Sequence, residues 1–414
     1  MKYKFGVYIL FVSMLFCGCS KGGSPTETDQ TSLNQILQED FSNCEEIELL
    51  TRGCLIDSPY TQSIGQGYEI IDHTDSGGNI IVYNYSKGTA DYLTKVPAFL
   101  RGTKEDSGWL PSMSGGCVPV AGKDKLFVFK MSVPGQEKAL GSEGKGYILQ
   151  MNFDGSGKQQ LKTIGYHEFF DSTNVAFDGI HMYYLPIFLD STGERCGQKL
   201  MSLNTDNGKE TVLEEYDNTR IHWLVGCWGD GLILQHVKKL SSDNKVSGEA
   251  PYAESQITLY QPSSMEEKEL ITLKSEDFQS VVYEDKLIYL DSENNDIFSM
   301  DLKTNTTELL VDTEKINTHE FFEYVVLRSQ VFDHHLIFDL AGHGSGRSYA
   351  LDMENGVIKP VSLEINGSQA AIAAEDEKYF VLYSGKGEKS LILKDDYWAG
   401  NPDIVLFKDL THKQ

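Results

Sequence analysis

Short apolar runs separated by polar turns organise most of this chain. Each run has four to seven residues rich in Tyr, Phe, Ile, Leu and Val, a length and composition typical of β-strands rather than helices. From residue 79 onwards, two such runs joined by a polar turn form a unit that recurs seven times. The seven predicted hairpins are NIIVYNYSKGTADYL from Asn79, GYILQMNFDGSGKQQL from Gly146, QKLMSLNTDNGKETVL from Gln198, SQITLYQPSSMEEKELITL from Ser255, NDIFSMDLKTNTTELL from Asn295, RSYALDMENGVIKPV from Arg347 and KSLILKDDYWAGNPDIVLF from Lys389.

Further apolar runs precede most of the hairpins and raise each unit to about four strands. The hairpin turns are spaced by 41 to 68 residues, and the blades of a β-propeller repeat at about 40 to 50 residues. The longer steps coincide with insertions rich in Gly, Ser and Lys at 101–116, 132–145 and 239–254. Stacking such sheets in a closed ring buries both apolar faces of each one. We therefore predict an all-β fold, a single β-propeller of seven four-stranded blades over residues 45–414.

One unit also resembles a known family. This unit consists of the hairpin from Gly146 and the following run VAFDGIHMYYL. It is similar to the repeat of TolB-like propellers. It is also similar to a bacterial domain of unknown function that resembles the propeller of low-density-lipoprotein-receptor-related proteins. The resemblance implies a propeller that serves as a binding platform, without implying a particular ligand. The matching residues are Tyr147, Met151, Asn152, Asp154, Gly155, Lys158, Asp178, Gly179, Tyr183 and Tyr184.

The first residues of the chain have the pattern of an export signal. Lys2 and Lys4 precede an apolar stretch from Phe5 to Phe16, which is too short to span a bilayer comfortably. Gly18 and Cys19 then resemble the bacterial lipobox, whose Cys is acylated and becomes the new N-terminus. We predict a lipoprotein signal peptide over 1–18 with lipidation (palmitate) at Cys19. The alternatives are a plain secretory signal cleaved near Gly18, and lipidation at Cys17.

The segment 19–44 is predicted to be a lipid-anchored flexible tether, because residues 20–35 are small and polar without an apolar period. The only helical candidate of the chain lies at 32–47. These assignments place the protein at the cell membrane, lipid-anchored on its extracytoplasmic face.

The formal net charge of −25, which would become −27 on loss of Lys2 and Lys4, disfavours nucleic acid and anionic head groups as partners. Solubility is the simplest function of so acidic a surface. No cysteine pair has C-x-x-C spacing, so zinc and thioredoxin-like sites have little support. An exported chain could carry a disulfide between Cys44 and Cys54, the nearest pair, whereas buried free thiols are the default expectation for these two and for Cys117, Cys196 and Cys227.

The cluster Asp154-Gly155-Ser156-Gly157-Lys158 could in principle bind phosphate. A phosphate loop, however, requires Gly five positions before its Gly-Lys pair and Ser or Thr after it, and this chain has Asn152 and Gln159 there. We interpret the cluster as a hairpin tip, in which Gly supplies positive φ and Asp binds its own backbone.

The most enzyme-like stretch is DHHLIFDLAGHGSGRS at 333–348. Its Ser345 lacks the G-x-S-x-G spacing, and alternation sends His334 and His335 to opposite faces of one strand. Propeller lyases build a histidine-lined metal site at the axis, but no spacing selects such a set from the scattered histidines His73, His167, His222 and His319. Four tryptophans could stack on sugars or peptides, although packing between blades is the simpler expectation for at least half of them. These are Trp109, Trp223, Trp228 and Trp398.

We predict no catalytic residues, no metal and no cofactor, and leave the ligand-binding residues open. The predicted function is that of a binding or scaffold protein for a partner protein, peptide or glycan of the cell envelope. The alternative is a propeller enzyme, a polysaccharide lyase or hydrolase with an axial active site. An activity is therefore uncertain, and a non-enzymatic role is favoured.

Overall fold

Antiparallel strands make up most of the structure, which is a computed structural model. Apart from the short helices given below, the residues named at the end of this paragraph form strands joined by turns. The predicted signal peptide, Cys19, Cys44 and Cys54 lie outside the described residues. The structure describes residues 41, 46–50, 60–63, 65–74, 77–97, 100–103, 105–111, 116–133, 141–169, 174–239, 253–274, 279–292, 294–316, 322–342, 345–361, 364–365, 368–384, 389–401 and 403–411.

The strands alternate buried and exposed residues or, where both faces are covered, are buried throughout, as in LFVFK at 126–130. The described residues also form one α-helix, α1 (Lys394–Ala399), and short 3₁₀ segments at Gly141–Gly144 and Thr313–Lys315. The strands are β1 (Glu48–Leu49), β2 (Tyr60–Ser63), β3 (Gln66–Thr74), β4 (Gly77–Asn84), β5 (Thr89–Tyr92), β6 (Trp109–Pro111), β7 (Cys117–Ala121), β8 (Leu126–Lys130), β9 (Gly146–Met151), β10 (Gln159–Ile164), β11 (Glu168–Phe169), β12 (Ala176–Phe177), β13 (His181–Tyr184), β14 (Ile187–Leu189), β15 (Arg195–Asn204), β16 (Glu210–Tyr216), β17 (Ile221–Trp228), β18 (Gly231–Lys239), β19 (Ala253–Gln261), β20 (Glu266–Lys274), β21 (Ser280–Tyr283), β22 (Lys286–Asp291), β23 (Asp296–Asp301), β24 (Thr307–Val311), β25 (Tyr324–Phe332), β26 (His335–Gly342), β27 (Ser345–Asp352), β28 (Ile358–Val361), β29 (Glu364–Ile365), β30 (Ser368–Glu375), β31 (Tyr379–Ser384), β32 (Lys389–Leu393), β33 (Val405–Leu406) and β34 (Lys408–Asp409).

Six of the sheets are regular blades, which we define as four successive strands paired as an antiparallel meander. They are β2–β5, β7–β10, β17–β20, β21–β24, β25–β28 and β30–β33, called the first to sixth blades. β6 and β34 extend the first blade, and β29 extends the sixth. The remaining strands form one irregular seven-stranded sheet in the order β1-β12-β13-β15-β14-β11, with β16 on the other edge of β15.

The all-β, single-propeller prediction is confirmed, but the prediction of seven four-stranded blades is wrong because the structure has six blades. The hairpin from Gln198 was counted as a blade, yet its region forms the seven-stranded sheet. The ten-residue β15 pairs with β13 along one half and with the inserted β14 along the other. The first strand of that unit, β12, has only two residues, and the N-terminal β1 pairs beside it.

Apolar clusters fill the space between all neighbouring sheets and close them into a ring. Phe127 of the second blade packs against Phe177 of the seven-stranded sheet at a centroid distance of 5.6 Å, and Leu213 of that sheet packs with Tyr260 of the third blade. Further clusters join the first blade to the second, the third to the fourth, the fourth to the fifth, the fifth to the sixth and the sixth to the first. Contacts between β2 and β7, β17 and β21, β21 and β25, and β30 and β2 place the first strands of the blades toward the centre.

The C-terminal residues complete this ring. β33 is the outer strand of the sixth blade, and β34 then pairs in parallel with β5 of the first blade. Phe407, which lies between these two strands in the chain, packs against Tyr83 of the first blade at a centroid distance of 5.0 Å. An ion pair also joins the sixth blade to the first, with Lys389 Nζ 2.7 Å from Glu69 Oε1. Among the described residues, no helix is both long enough and apolar enough to cross a membrane.

Candidate ligand-binding cleft

A β-bulge interrupts the inner strand of the fifth blade. Leu327 pairs with Phe338 and the next pair is Val331 with Leu336, so three residues of β25 lie opposite the single residue Ile337. A bulge of this kind bends a strand and re-aims its side chains. Here it falls at Arg328, whose side chain is half exposed.

Asp339 holds this arginine in position. Arg328 Nη2 lies 2.6 Å from Asp339 Oδ2, and Ser348 Oγ donates a hydrogen bond of 2.6 Å to Asp339 Oδ1. Asp339 and Ser348 are direct cross-strand neighbours on β26 and β27, so the sheet itself aligns them. A guanidinium has five N–H donors, and this pairing leaves donors of Arg328 without a partner among the described residues.

Apolar side chains line the cleft beside Arg328, between the fifth and sixth blades. Its volume is about 160 Å³. Tyr397 contributes a phenol from α1, and its hydroxyl makes no hydrogen bond to another described residue. Burial raises the pKa of Tyr397 to about 12, although Arg328 lowers it, so the hydroxyl stays protonated at neutral pH. The apolar lining residues are Phe332, Ile337, Val361, Ala370, Ala371 and Ile372.

The sequence pattern predicts a hairpin tip in the segment that carries Tyr397, whereas the structure forms a helix there. Asp395 and Asp396 lie in its first turn, where carboxylates favour a helix N-terminus, and Gly400 ends it with a φ of 73°. The Gly400 N–H donates to the carbonyl of Tyr397. Six residues of sequence are too few to show a helical period, so only these end signals could have indicated α1.

Asp333 fixes α1 against the fifth blade. Its Oδ2 accepts a hydrogen bond of 2.7 Å from Trp398 Nε1, and its Oδ1 lies 3.3 Å from Lys394 Nζ. His335 stacks on Trp398 at a centroid distance of 3.9 Å, while His334 faces Tyr283 of the fourth blade with 2.6 Å between Nδ1 and the hydroxyl. His335 is the first residue of β26, whereas His334 lies in the preceding turn with a φ of 61°, so the two do not occupy opposite faces of one strand as predicted, although they contact different blades.

We expect Asp333→Ala to destabilise the protein by about 2 kcal/mol, because it leaves the Trp398 N–H without its acceptor and gives a φ of 47° to a residue that rarely adopts it. Asp333→Asn is the matched variant: Asn tolerates this φ and keeps an acceptor, so about 1 kcal/mol should be lost. Urea denaturation followed by Trp fluorescence measures both. If Asp333→Ala and Asp333→Asn lose the same free energy of unfolding, the hydrogen bond from Trp398 contributes little to stability.

A second polar cluster joins the seven-stranded sheet to the third blade. Glu267 Oε1 lies 2.6 Å from His236 Nε2 and accepts a hydrogen bond of 2.5 Å from the Thr258 hydroxyl. His236 Nδ1 lies 2.6 Å from His222 Nδ1, and Tyr216 stacks on His222 at 4.0 Å. We call Glu267, His236 and His222 the histidine relay.

When both imidazoles of the histidine relay are uncharged, hydrogen bonding determines which ring nitrogen carries each proton. His236 Nε2 donates toward Glu267, so its Nδ1 accepts from His222 Nδ1. His222 Nε2 is then an acceptor, and it has no partner among the described residues. Burial, followed by the nearby charge of His236, lowers the pKa of His222 to about 3. Although burial raises it, hydrogen bonds from His236 and Thr258 hold the pKa of Glu267 below its usual value.

The histidine candidates whose side chains the structure describes do not form a common site. His222 pairs with His236 and lies apart from the exposed His167, while His319, His343 and the side chain of His73 lie outside the described residues. Within the part of the chain that the structure describes, no group of three or more His, Cys, Asp and Glu residues is arranged to hold a metal ion. Ser345 starts β27 of a hairpin rather than a strand-to-helix turn.

Two tryptophans pack between blades, as the sequence analysis expected for at least half of the four. Trp228 of the third blade donates to Asp285 of the fourth at 3.0 Å, and Trp398 donates to Asp333. The described cysteines are free thiols: Cys117 is buried, Cys227 half-buried and Cys196 exposed. The expectation that these cysteines are buried free thiols is therefore wrong for Cys196, which is exposed.

The interpretation of the Gly-Ser-Gly-Lys cluster as a hairpin tip is confirmed. Gly155 and Gly157 have φ values of 80° and 66°, and Asp154 Oδ1 accepts a hydrogen bond of 2.9 Å from the N–H of Ser156. Lys158 Nζ donates to the carbonyl oxygen of Trp109 at 2.7 Å. The cluster therefore has a structural role within its hairpin.

No family model and no curated protein matches this chain. Solved structures are similar at the level of the fold. The β-propeller domain of the trilobed protease from Pyrococcus furiosus matches 87% of this chain and 98% of its own, with a TM-score of 0.47 and 12% identity. An oligogalacturonate lyase in complex with manganese matches 86% of this chain and 92% of its own, with a TM-score of 0.45 and 12% identity.

TolB from Acinetobacter baumannii is also among the similar propellers, over 81% of this chain and 78% of its own, with a TM-score of 0.34 and 11% identity. The sheets of this chain form a propeller, as the resemblance to TolB-like propellers implies. The activities of these proteins belong to them and are not transferred to this chain.

Proposed function

We propose that this protein is an extracytoplasmic lipoprotein, anchored to the cell membrane through Cys19, whose propeller binds a partner protein, peptide or glycan of the cell envelope. The observation that carries the binding role is the cleft between the fifth and sixth blades. It combines apolar walls with an arginine held by Asp339 and with the hydroxyl of Tyr397. Apolar lining with a few convergent polar groups is characteristic of ligand sites.

An array of immobilised peptides and glycans tests the binding role. The probe is the full chain carrying Cys19→Ser, compared with the same chain carrying Arg328→Gln in addition. We expect signals that Arg328→Gln reduces. The matched control is Lys359→Gln, which also removes one positive charge from the fifth blade but does not line the cleft, and it should bind like the parent. An array without signals, or signals that Arg328→Gln leaves unchanged, would reject a ligand site at the cleft.

The lipid anchor makes a separate prediction. Cys19→Ser should move the protein from the membrane fraction to the soluble fraction, because an acyl chain supplies its membrane affinity through about 0.8 kcal/mol per buried CH₂ group. Fractionation and immunoblotting of cells that express each variant measure this. Cys17→Ser is the control and should stay in the membrane fraction. Retention of Cys19→Ser together with release of Cys17→Ser would assign the lipid to Cys17.

The alternative function, a polysaccharide lyase or hydrolase, is favoured by one observation. A carboxylate that orients an imidazole is a common arrangement for a general base, and the histidine relay has this form. Its acceptor nitrogen, His222 Nε2, is buried, so a substrate would have to displace Tyr216. Cleavage of a polysaccharide or peptide by the wild type that is lost in His222→Ala would support this function over the binding role.

A further inference from the structure

We propose that the cleft binds the C-terminal residue of a peptide, with its free carboxylate on Arg328 and its apolar side chain between Phe332 and Ile372. This inference rests on the proposed function and names the ligand of that same site. Three properties of the cleft lead to it: its volume, its walls and its charge.

The volume limits the ligand to something small. The cleft volume of about 160 Å³ is smaller than that of clefts for drug-sized ligands, which is on the order of 300 to 1,000 Å³. The cleft accommodates one aliphatic or aromatic side chain. The rest of a longer ligand would have to remain outside.

The walls determine the chemistry of the inserted group. Phe332 and Ile337 come from the fifth blade, and Ala370 and Ile372 from the sixth, so carbon surfaces face each other across the cleft. A hydroxylated group placed between these carbon surfaces, away from Arg328, Ser348 and Tyr397, would lose hydrogen bonds to water without replacement. The side chain that enters is therefore apolar.

The charge determines what is attached to that side chain. Asp339 contacts one guanidinium nitrogen of Arg328, and a second carboxylate can bind the remaining N–H donors of the same planar group. The Tyr397 hydroxyl offers another donor at the cleft. Carboxylate and apolar side chain are attached to one carbon atom in the last residue of a peptide, which matches an arginine at the mouth of an apolar cleft.

The net charge of the protein favours this occupant over an acidic glycan. A polyuronate brings one negative charge per acidic sugar, and a body with a net charge of −25 repels each of them. A peptide terminus needs only one carboxylate, which Arg328 meets locally. Acidic oligosaccharides are therefore the competing outcome of the test.

Fluorescence polarisation with short labelled peptides tests the inference on the full Cys19→Ser chain. The probes are fluorescein-Ser-Gly-Ser-Gly-Ala-X peptides in which X is Val, Leu or Phe, each prepared with a free C-terminal carboxylate and as the amide. We expect the free acids to bind, and the amides to bind about tenfold to one-hundredfold more weakly, since a charge-assisted bidentate contact is lost. Replacing X by Gly should weaken binding about tenfold or more.

Two variants test the site itself. Arg328→Gln should reduce the affinity for the free acid to that for the amide and leave the amide unaffected. Ala371→Leu fills the cleft from an exposed position and should weaken the Leu and Phe peptides more than the Val peptide. Lys359→Gln should bind like the parent, and thermal unfolding shows whether each variant is folded.

Equal affinity for acid and amide, or an unchanged affinity in both folded cleft variants, would overturn the inference. Binding of an oligogalacturonate that depends on Arg328, without binding of any peptide, would overturn it too while leaving the proposed function intact. If neither peptides nor oligogalacturonate bind, and the array is also blank, the proposed function fails with it.

Discussion

Acidification from pH 6.5 to pH 4 should lower the free energy of unfolding of the wild type by about 3 kcal/mol more than that of His222→Gln. His222 is 4% exposed, and its folded-state pKa of about 3 lies well below the usual value of 6.5. Between these values the unfolded chain binds one more proton than the folded chain. The stabilisation is therefore complete above pH 6.5 and is lost as the pH falls toward 3.

The charges around His222 explain why the folded protein resists this proton. Besides Tyr216, the cluster contains His236 and Glu267, and Arg195 and Arg220 contribute positive charge. A proton on His222 Nε2 would place a further buried cation beside these arginines, and the attraction of Glu267 offsets only part of that cost.

Urea denaturation at half-unit steps from pH 4 to pH 7.5 measures the difference. His222→Gln should give a slope that is about 1.4 kcal/mol per pH unit smaller than that of the wild type in the middle of this window. His167→Gln replaces an exposed histidine and controls for the loss of one imidazole. Parallel curves for the wild type and His222→Gln would contradict the buried, neutral state of His222.

Deletion of residues 404–414 should destabilise the propeller by about 4 kcal/mol, because it removes β33, Phe407 and β34 together. Phe407 is half-buried against Tyr83 and Tyr85, which accounts for about 1 to 2 kcal/mol. The backbone hydrogen bonds from Lys408 to Gly88 and from Leu410 to Ala90 are lost as well, at about 1 kcal/mol each, in addition to the pairing of β33 with β32.

Urea denaturation measures this loss, and hydrogen exchange of the β5 amides locates it. Deletion of 412–414 alone leaves β34 in place and should unfold like the full chain. If the longer deletion is as stable as the full chain, the C-terminal strands do not close the ring.

Local alternation predicted the strands well because each hairpin is defined by neighbouring residues. The hairpin from Gly146 shows this: its apolar positions pair as β9 with β10, and its tip needs glycines at positive φ. The blade count failed in the seven-stranded sheet. There β1 pairs with the distant β12, and β15 divides its pairing between β13 and the short β14, and neither arrangement leaves a period in the sequence.

The candidate cleft was not predicted, since it exists only where two blades meet. Its one signal in the sequence is the polar group Arg328-Ser329-Gln330 between Leu327 and Val331, which interrupts an otherwise apolar strand and marks the bulge. That Arg328 would meet Asp339, and that Tyr397 would arrive on a helix from the next blade, depends on packing between residues far apart in the chain.

The pairing of β34 with β5 also has a consequence for how the protein is made. Residues 408–409 are hydrogen-bonded to residues 89–90, so the ring cannot close until the chain has been synthesised as far as β34. Until then, the outer edge of β5 and the apolar surface around Tyr83 and Tyr85 stay uncovered. Such long-range pairing slows folding, and the uncovered strand edge leaves the nascent chain prone to aggregation during that interval.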